Sequence, residues 1–179
     1  MPTILRDLPF FPNPTLLSIP GGPTISILNN QIIVWVSVTR PDLAEPSPYV
    51  RRFPAVLDTG YNRGFMTRQQ QLLEWAGLAP TELYQVSSQR SEQRRIPTHD
   101  AIVWLHCNQA GKRDEFTEAA PFGLQLDEGI AVWPSSLPGA RRLPLLGMEA
   151  LRLAGLQLHI DFLKCRVSLR TPRRWWWSN

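Results

Sequence analysis

The stretch Ala55-Val56-Leu57-Asp58-Thr59-Gly60 constrains this chain more than any other. Apolar residues lead without interruption into an acid, a small hydroxyl residue and a glycine. A short apolar run that stops at a turn signal reads as a buried strand, so the run delivers the Asp58 carboxylate to a strand tip. Thr59 adds a hydroxyl there. Gly60, having no Cβ, lets backbone approach the carboxylate closely. Taken alone, Asp58 also reads as an ordinary turn acid and Thr59 as a local turn hydroxyl. A second unit of the same kind follows at Leu143-Pro144-Leu145-Leu146-Gly147, with residues 148–155 reading as a short helix behind it.

These residues carry a resemblance. Val56-Leu57-Asp58-Thr59-Gly60 resembles the active-site segment of the retropepsin-like aspartic proteases. The continuation Tyr61-Asn62-Arg63-Gly64-Phe65 resembles their bacterial single-domain branch, where an aromatic residue follows the Asp-Thr-Gly. Leu145-Leu146-Gly147 and its helix are similar to the second of the family's two strand–glycine–helix units. Residues 156–162 and 165–169 look like its closing hairpin. The likeness spans residues 51–170 and leaves the N-terminal stretch outside it.

The resemblance implies an all-β fold with one or two short helices, a closed β-barrel that is one half of an acid protease and pairs as a two-fold dimer. Residues 1–45 would be a proline-rich segment and hairpin packed on the main domain, 46–172 the protease domain, and 173–179 a Trp-rich tail. The implied activity is aspartic-type endopeptidase, with Asp58 of each copy meeting its twin across a homodimer and activating a water. Thr59 and Gly60 would support the active-site loop. A hairpin over residues 86–97 would cover a peptide or protein substrate, with Ser87, Ser88 and Gln89 nearest to it. Such chemistry calls for no cofactor and no metal. Three departures leave an alternative open, a catalytically inactive module that dimerises or binds peptides: Tyr61 replaces a small residue, residues 87–95 lack the usual glycine, and the segment before Leu145 is long.

Composition bounds the remaining function classes. A chain of 179 residues, 43% hydrophobic and 19% charged, suits one globular domain or one with an extension. The net charge of +4 is almost all arginine, since only Lys112 and Lys164 are lysines. Its arginines fall in scattered pairs (Arg51-Arg52, Arg94-Arg95, Arg141-Arg142, Arg173-Arg174), which argues against a nucleic-acid groove. Residues 1–18 lack the basic start, apolar block and cleavage site of a secretion signal. Asn29, Asn30 and Gln31 interrupt the apolar stretch 25–38 well short of a membrane span. The expected compartment is the cytoplasm, with Cys107 and Cys165 reduced. Trp175, Trp176 and Trp177 read as intrachain packing, a dimer anchor, or a weak membrane contact helped by Arg173 and Arg174.

Other chemistries find little support. His99, His106 and His159 are not spaced with cysteines or acids as zinc ligands are. Gly60 and Gly64 lack the pattern of a phosphate cradle. Cys107 beside His106 admits a nucleophilic pair, although an apolar strand more often simply buries its cysteine.

In chain order, the prolines of residues 1–23 predict an extended surface segment, because proline cannot donate to a sheet ladder. Residues 24–28 and 31–39 predict a hairpin around Asn29-Asn30. Residues 52–57 predict the strand into Asp58. Residues 68–75 predict a helix with Leu72, Leu73 and Trp75 on its apolar side and Gly77 ending it. Residues 83–88 and 101–107 predict the arms of the covering hairpin, with 89–95 as its polar turn. Residues 115–119 and 130–133 predict strands, and 122–127 carry no clear signal.

Overall fold

The computed structural model describes residues 3–43, 45–47, 49–91, 94–137 and 143–172. Strand β1 (Thr3–Pro9) precedes a hairpin of β2 (Thr15–Ser18) and β3 (Thr24–Ile27), followed by β4 (Ile33–Thr39) and β5 (Phe53–Asp58). β6 (Phe65–Arg68) enters a short helix, α1 (Gln69–Gln71), which widens into a π-helical turn over Leu72–Ala76. β7 (Gln85–Ser91) and β8 (Arg94–His99) form one hairpin, β9 (Ile102–Leu105) and β10 (Phe122–Gln125) another. β11 (Ile130–Trp133), β12 (Leu145–Gly147) and α2 (Met148–Leu153) lead to the closing pair, β13 (Gln157–Asp161) and β14 (Arg166–Arg170). The class is all-β with short helices. No helix among the described residues is long and apolar enough to cross a membrane.

Nine strands form the central sheet in the order β10-β9-β4-β5-β12-β6-β11-β8-β7. Two smaller sheets, β1-β14-β13 and β2-β3, lie outside it. β4 explains why the centre is here: all seven of its residues are buried, and most are β-branched or aromatic. Successive side chains of a strand point to opposite faces. Val34, Val36 and Val38 therefore join Phe53, Ala55 and Leu57 in one core, while Ile33 and Trp35 join Val56 and Met66 in a second. Ala150 and Leu151 of α2, Val167 and Leu169 of β14, and Ile4, Leu5 and Leu8 of β1 complete the first core. Leu17 and Ile27 of the β2–β3 hairpin complete the second. A sheet covered on both faces makes its central strands continuous apolar runs.

Several expectations are corrected. The sheet is open among the described residues, with β10 and β7 at its edges, so no closed barrel is found. The first part of the N-terminal stretch is not a surface segment: β1 pairs with β14, and Leu5 and Leu8 are fully buried, whereas residues 11–14 and 20–24 are exposed. Pro9 ends that strand and so removes no interior donor. The hairpin around Asn29-Asn30 does not form either. Ile19-Pro20-Gly21-Gly22 is the stronger turn, with proline second, Gly21 at φ 69° third, and the Gly22 amide donating to Ile19 O at 2.8 Å. That turn pairs β3 back onto β2. Asn30, at φ 60°, turns the chain but gives its amide to Phe11 O at 2.7 Å, and β4 goes on to pair with β5 and β9.

The covering hairpin returns through β8, and the expected return strand is instead β9, between β4 and β10. The predicted polar turn at 89–95 is mostly strand; Glu92 and Gln93 lie outside the described residues. Residues 115–119 hold only an isolated bridge, Asn108 with Phe116. The stretch 122–127 supplies β10. In the helical turn Leu72 is fully buried while Leu73 is exposed, and Gly77 ends it in the left-handed region at φ 72°.

Candidate active site

β5 and β6 follow one another in the chain but are not neighbours. β12, which comes about 80 residues later, is inserted between them. It runs parallel to β5 (Leu145 opposite Val56, Leu146 opposite Leu57, Gly147 opposite Asp58) and antiparallel to β6 (Leu145 opposite Met66, Leu146 opposite Phe65). The two apolar-run-to-glycine units read from the sequence thus lie side by side, with Gly147 next to Asp58. Residues 59–64 join β5 to β6 by arching over the end of β12.

Backbone hydrogen bonds hold this arch. Tyr61 N donates to Asp58 O at 3.1 Å, Gly147 N to Gly64 O at 2.8 Å, and Met148 N to Tyr61 O at 2.9 Å. The arch passes so close that a Cβ on Gly147 would strike Arg63 O and Tyr61 O. Gly147 has φ −102°, open to any residue, so its requirement is for space. Asp58 itself is half-buried, and its Oδ1 accepts the Gly60 amide at 2.9 Å. Thr59 and Gly60 are exposed. The carboxylate at the foot of the arch is thus half-buried, with a hydrogen bond to steady it.

The β7–β8 hairpin meets this arch through a polar contact. Gln89 is 8% exposed, and its Nε2 donates to the Tyr61 hydroxyl at 3.1 Å. Ser87 and Ser88 are exposed along the same strand. Ile96 lies opposite Gln89 and is fully buried, so this rung of the hairpin packs inward. Burial raises the Tyr61 phenol above its ordinary value of 10, against the lowering effect of the Gln89 bond and of Arg63; Glu149 adds a small upward push. The phenol is therefore neutral and its oxygen accepts. Beside the hairpin a cavity of about 110 Å³ opens between Phe65, Gln89, Leu126, Glu128, Glu149 and Arg152. The exposed Arg63–Glu128 pair at its rim, 3.4 Å apart, contributes under about 1 kcal/mol.

Nothing in the polar run Gln85-Val86-Ser87-Ser88-Gln89-Arg90 marks Gln89 as an inward position, since Gln85 and Ser87 of the same parity are exposed, and its pairing with Tyr61 spans 28 residues.

The remaining chemistry-bearing residues lie elsewhere. His106 does not face Cys107: its Nε2 bonds Ser37 Oγ at 2.7 Å, with both side chains buried. Cys107 and Cys165 are free thiols, and burial pushes the Cys107 thiol up, which disfavours the nucleophilic thiolate. Among the described residues no three His, Cys, Asp or Glu side chains cluster as metal ligands would. Trp175, Trp176 and Trp177 lie outside the described residues. Comparisons of the chain with protein-family models, with curated proteins and with solved structures give no match.

Proposed function

We propose that this protein is a retropepsin-like aspartic endopeptidase that works as a homodimer. The observation that carries the reading is Asp58 at the tip of β5, in register with Gly147 of the intervening β12, under an arch held by backbone amides. One chain offers one carboxylate, so a second copy supplies the other. Two carboxylates at hydrogen-bonding distance across a two-fold axis do not both ionise, and the pair shares a proton. The ionised Asp58 takes a proton from a water as it attacks a peptide carbonyl; the protonated partner polarises the carbonyl and then protonates the leaving nitrogen. Thr59 and Gly60 shape the loop, and the hairpin bearing Ser87, Ser88 and Gln89 covers the bound peptide.

The test combines mass and activity. The wild-type protein should sediment as a dimer and cleave members of a mixed peptide library detected by mass spectrometry. Asp58→Asn should lower cleavage by about a thousandfold, within the range for loss of a general acid–base group, while its thermal unfolding stays unchanged. Undiminished cleavage by that variant would sink the proposal. A second reading, a dimerising or peptide-binding module without catalysis, draws on the Gln89–Tyr61 bond, which already closes the hairpin onto the arch. A dimer that binds peptides and leaves every one intact would favour it.

A further inference from the structure

The strand that carries Asp58 is furnished at its other end too. Arg51 and Arg52 precede Phe53, the first residue of β5, about 20 Å from Asp58 along an extended chain. A cavity of about 190 Å³ opens there, walled by Ile19 and Gly21 of the β2–β3 turn and by Arg51, Arg52, Glu74 and Trp75. Neutral groups hold both guanidiniums. Arg51 Nη1 donates to the Glu74 carbonyl at 3.0 Å, and the Arg52 guanidinium lies 4.7 Å above the centre of the Phe116 ring. Neither arginine makes an ion pair among the described residues. The guanidiniums of two residues adjacent in the chain are thus oriented by neutral groups beside an indole.

The base beneath them is built from buried polar groups, which are costly unless fully bonded. Ser37, with no exposure, donates its hydroxyl to Arg51 O at 2.9 Å and accepts from His106 Nε2 at 2.7 Å, so the imidazole proton sits on Nε2. Phe116 packs edge-to-face with His106 and with Trp35, ring centres 6.2 and 5.6 Å apart. The Ser37–His106 pair therefore pins the backbone of the arginine pair, and Phe116 supports Arg52 from below. Among the described residues Glu74 is the acid that lines the cavity; its Oε1 accepts Gln70 Nε2 at 2.8 Å along the exposed side of the helical turn.

We propose that this cavity binds a phosphate ester, its phosphate between Arg51 and Arg52 and its apolar part against Ile19 and Trp75. Guanidinium forks match phosphate oxygens, and charge-assisted hydrogen bonds are the strong ones. The site stands apart from Asp58 and does not rest on the peptidase reading.

The test follows the amide resonances of Gly21, Gly22, Arg51 and Arg52 in the full chain, at constant ionic strength. Phenyl phosphate, inorganic phosphate and benzoate are titrated separately. Saturable shifts are expected, tightest for phenyl phosphate, weaker for phosphate, weakest for benzoate. Arg51→Gln and Arg52→Gln should each weaken phenyl phosphate about tenfold, the scale of one charge-assisted contact. Glu74→Gln should tighten it about threefold by removing the opposing charge. Shifts that never saturate, benzoate binding as tightly as phenyl phosphate, or affinity unmoved by both arginine variants would overturn the proposal. So would a single-stranded oligonucleotide that binds more tightly than phenyl phosphate. Where Arg52→Gln loosens the fold through Phe116, Glu74→Gln decides, and absence of tightening counts against the site.

Discussion

The two ends of β5 are built by different means. At the Asp58 end the support is main chain: three backbone hydrogen bonds, the Gly60 amide on the carboxylate, and a glycine that leaves the arch room to pass. At the Arg51–Arg52 end it is side chain: a buried serine, a buried histidine, and two aromatic rings. Main-chain support tolerates changes in most side chains but fails where a Cβ intrudes. Side-chain support fails wherever a hydrogen-bonding atom is lost or charged.

Gly147→Ala should show the first weakness most severely. Its new methyl meets Arg63 O and Tyr61 O, which are fixed by the arch, so the strands must part. A loss of about 3 kcal/mol in urea unfolding is expected, the upper range for overpacking, together with loss of any Asp58-dependent activity. A near-neutral Gly147→Ala would mean that the arch is looser than its hydrogen bonds indicate.

Acid should expose the second weakness. Burial first, and the charge on Arg52 next, lower His106 from 6.5 to about 4. The folded state then binds fewer protons than the unfolded chain between those values. The contribution of His106 should be constant above pH 6.5, fall as the pH drops toward 4, and level off below it. The full loss is about 3 kcal/mol. His106→Gln should flatten that part of the pH–stability curve; an unchanged slope would assign the acid sensitivity elsewhere.

Ser37→Ala leaves Arg51 O and His106 Nε2 without their shared partner. It should cost about 2 kcal/mol, the scale of stranding buried polar groups, and should loosen the amides of Arg51 and Arg52. The smallest effect belongs to the hairpin. Tyr61→Phe removes one neutral hydrogen bond, worth about 1 kcal/mol, and should speed hydrogen exchange in β7 and β8 about fivefold while leaving β5 unchanged. Equal exchange in both proteins would show that Ile96, and not Gln89, holds the hairpin down.

Legibility in the sequence followed the range of the interaction. The strand into Asp58, the run into Gly147, its helix, the closing β13–β14 pair and the Gly77 stop were all readable, because apolar runs and turn residues act within a few positions. The β2–β3 turn was readable in principle from Pro20-Gly21-Gly22, but Asn29-Asn30 drew the pairing to the wrong partner. Periodicity cannot choose between two nearby turns; burial of Leu17 and Ile27 against the second core does. The prolines near the N-terminus misled for a similar reason: β1 is placed by Leu5 and Leu8 meeting β14, far away in the chain, and the Asp7 amide that donates to the Ser168 hydroxyl between these strands is 161 residues from it.

The sequence by itself determined that this chain forms β-structure in covered layers, with an acid at one strand tip and a glycine at another. Those are local facts of side-chain size, branching and charge. Only the tertiary structure decided that β12 enters between β5 and β6, that Gln89 reaches Tyr61, and that Ser37 and His106 brace Arg51. Each of these joins residues far apart in the chain, and their meeting depends on which strands share an edge and which faces are buried together, which no short stretch of sequence encodes.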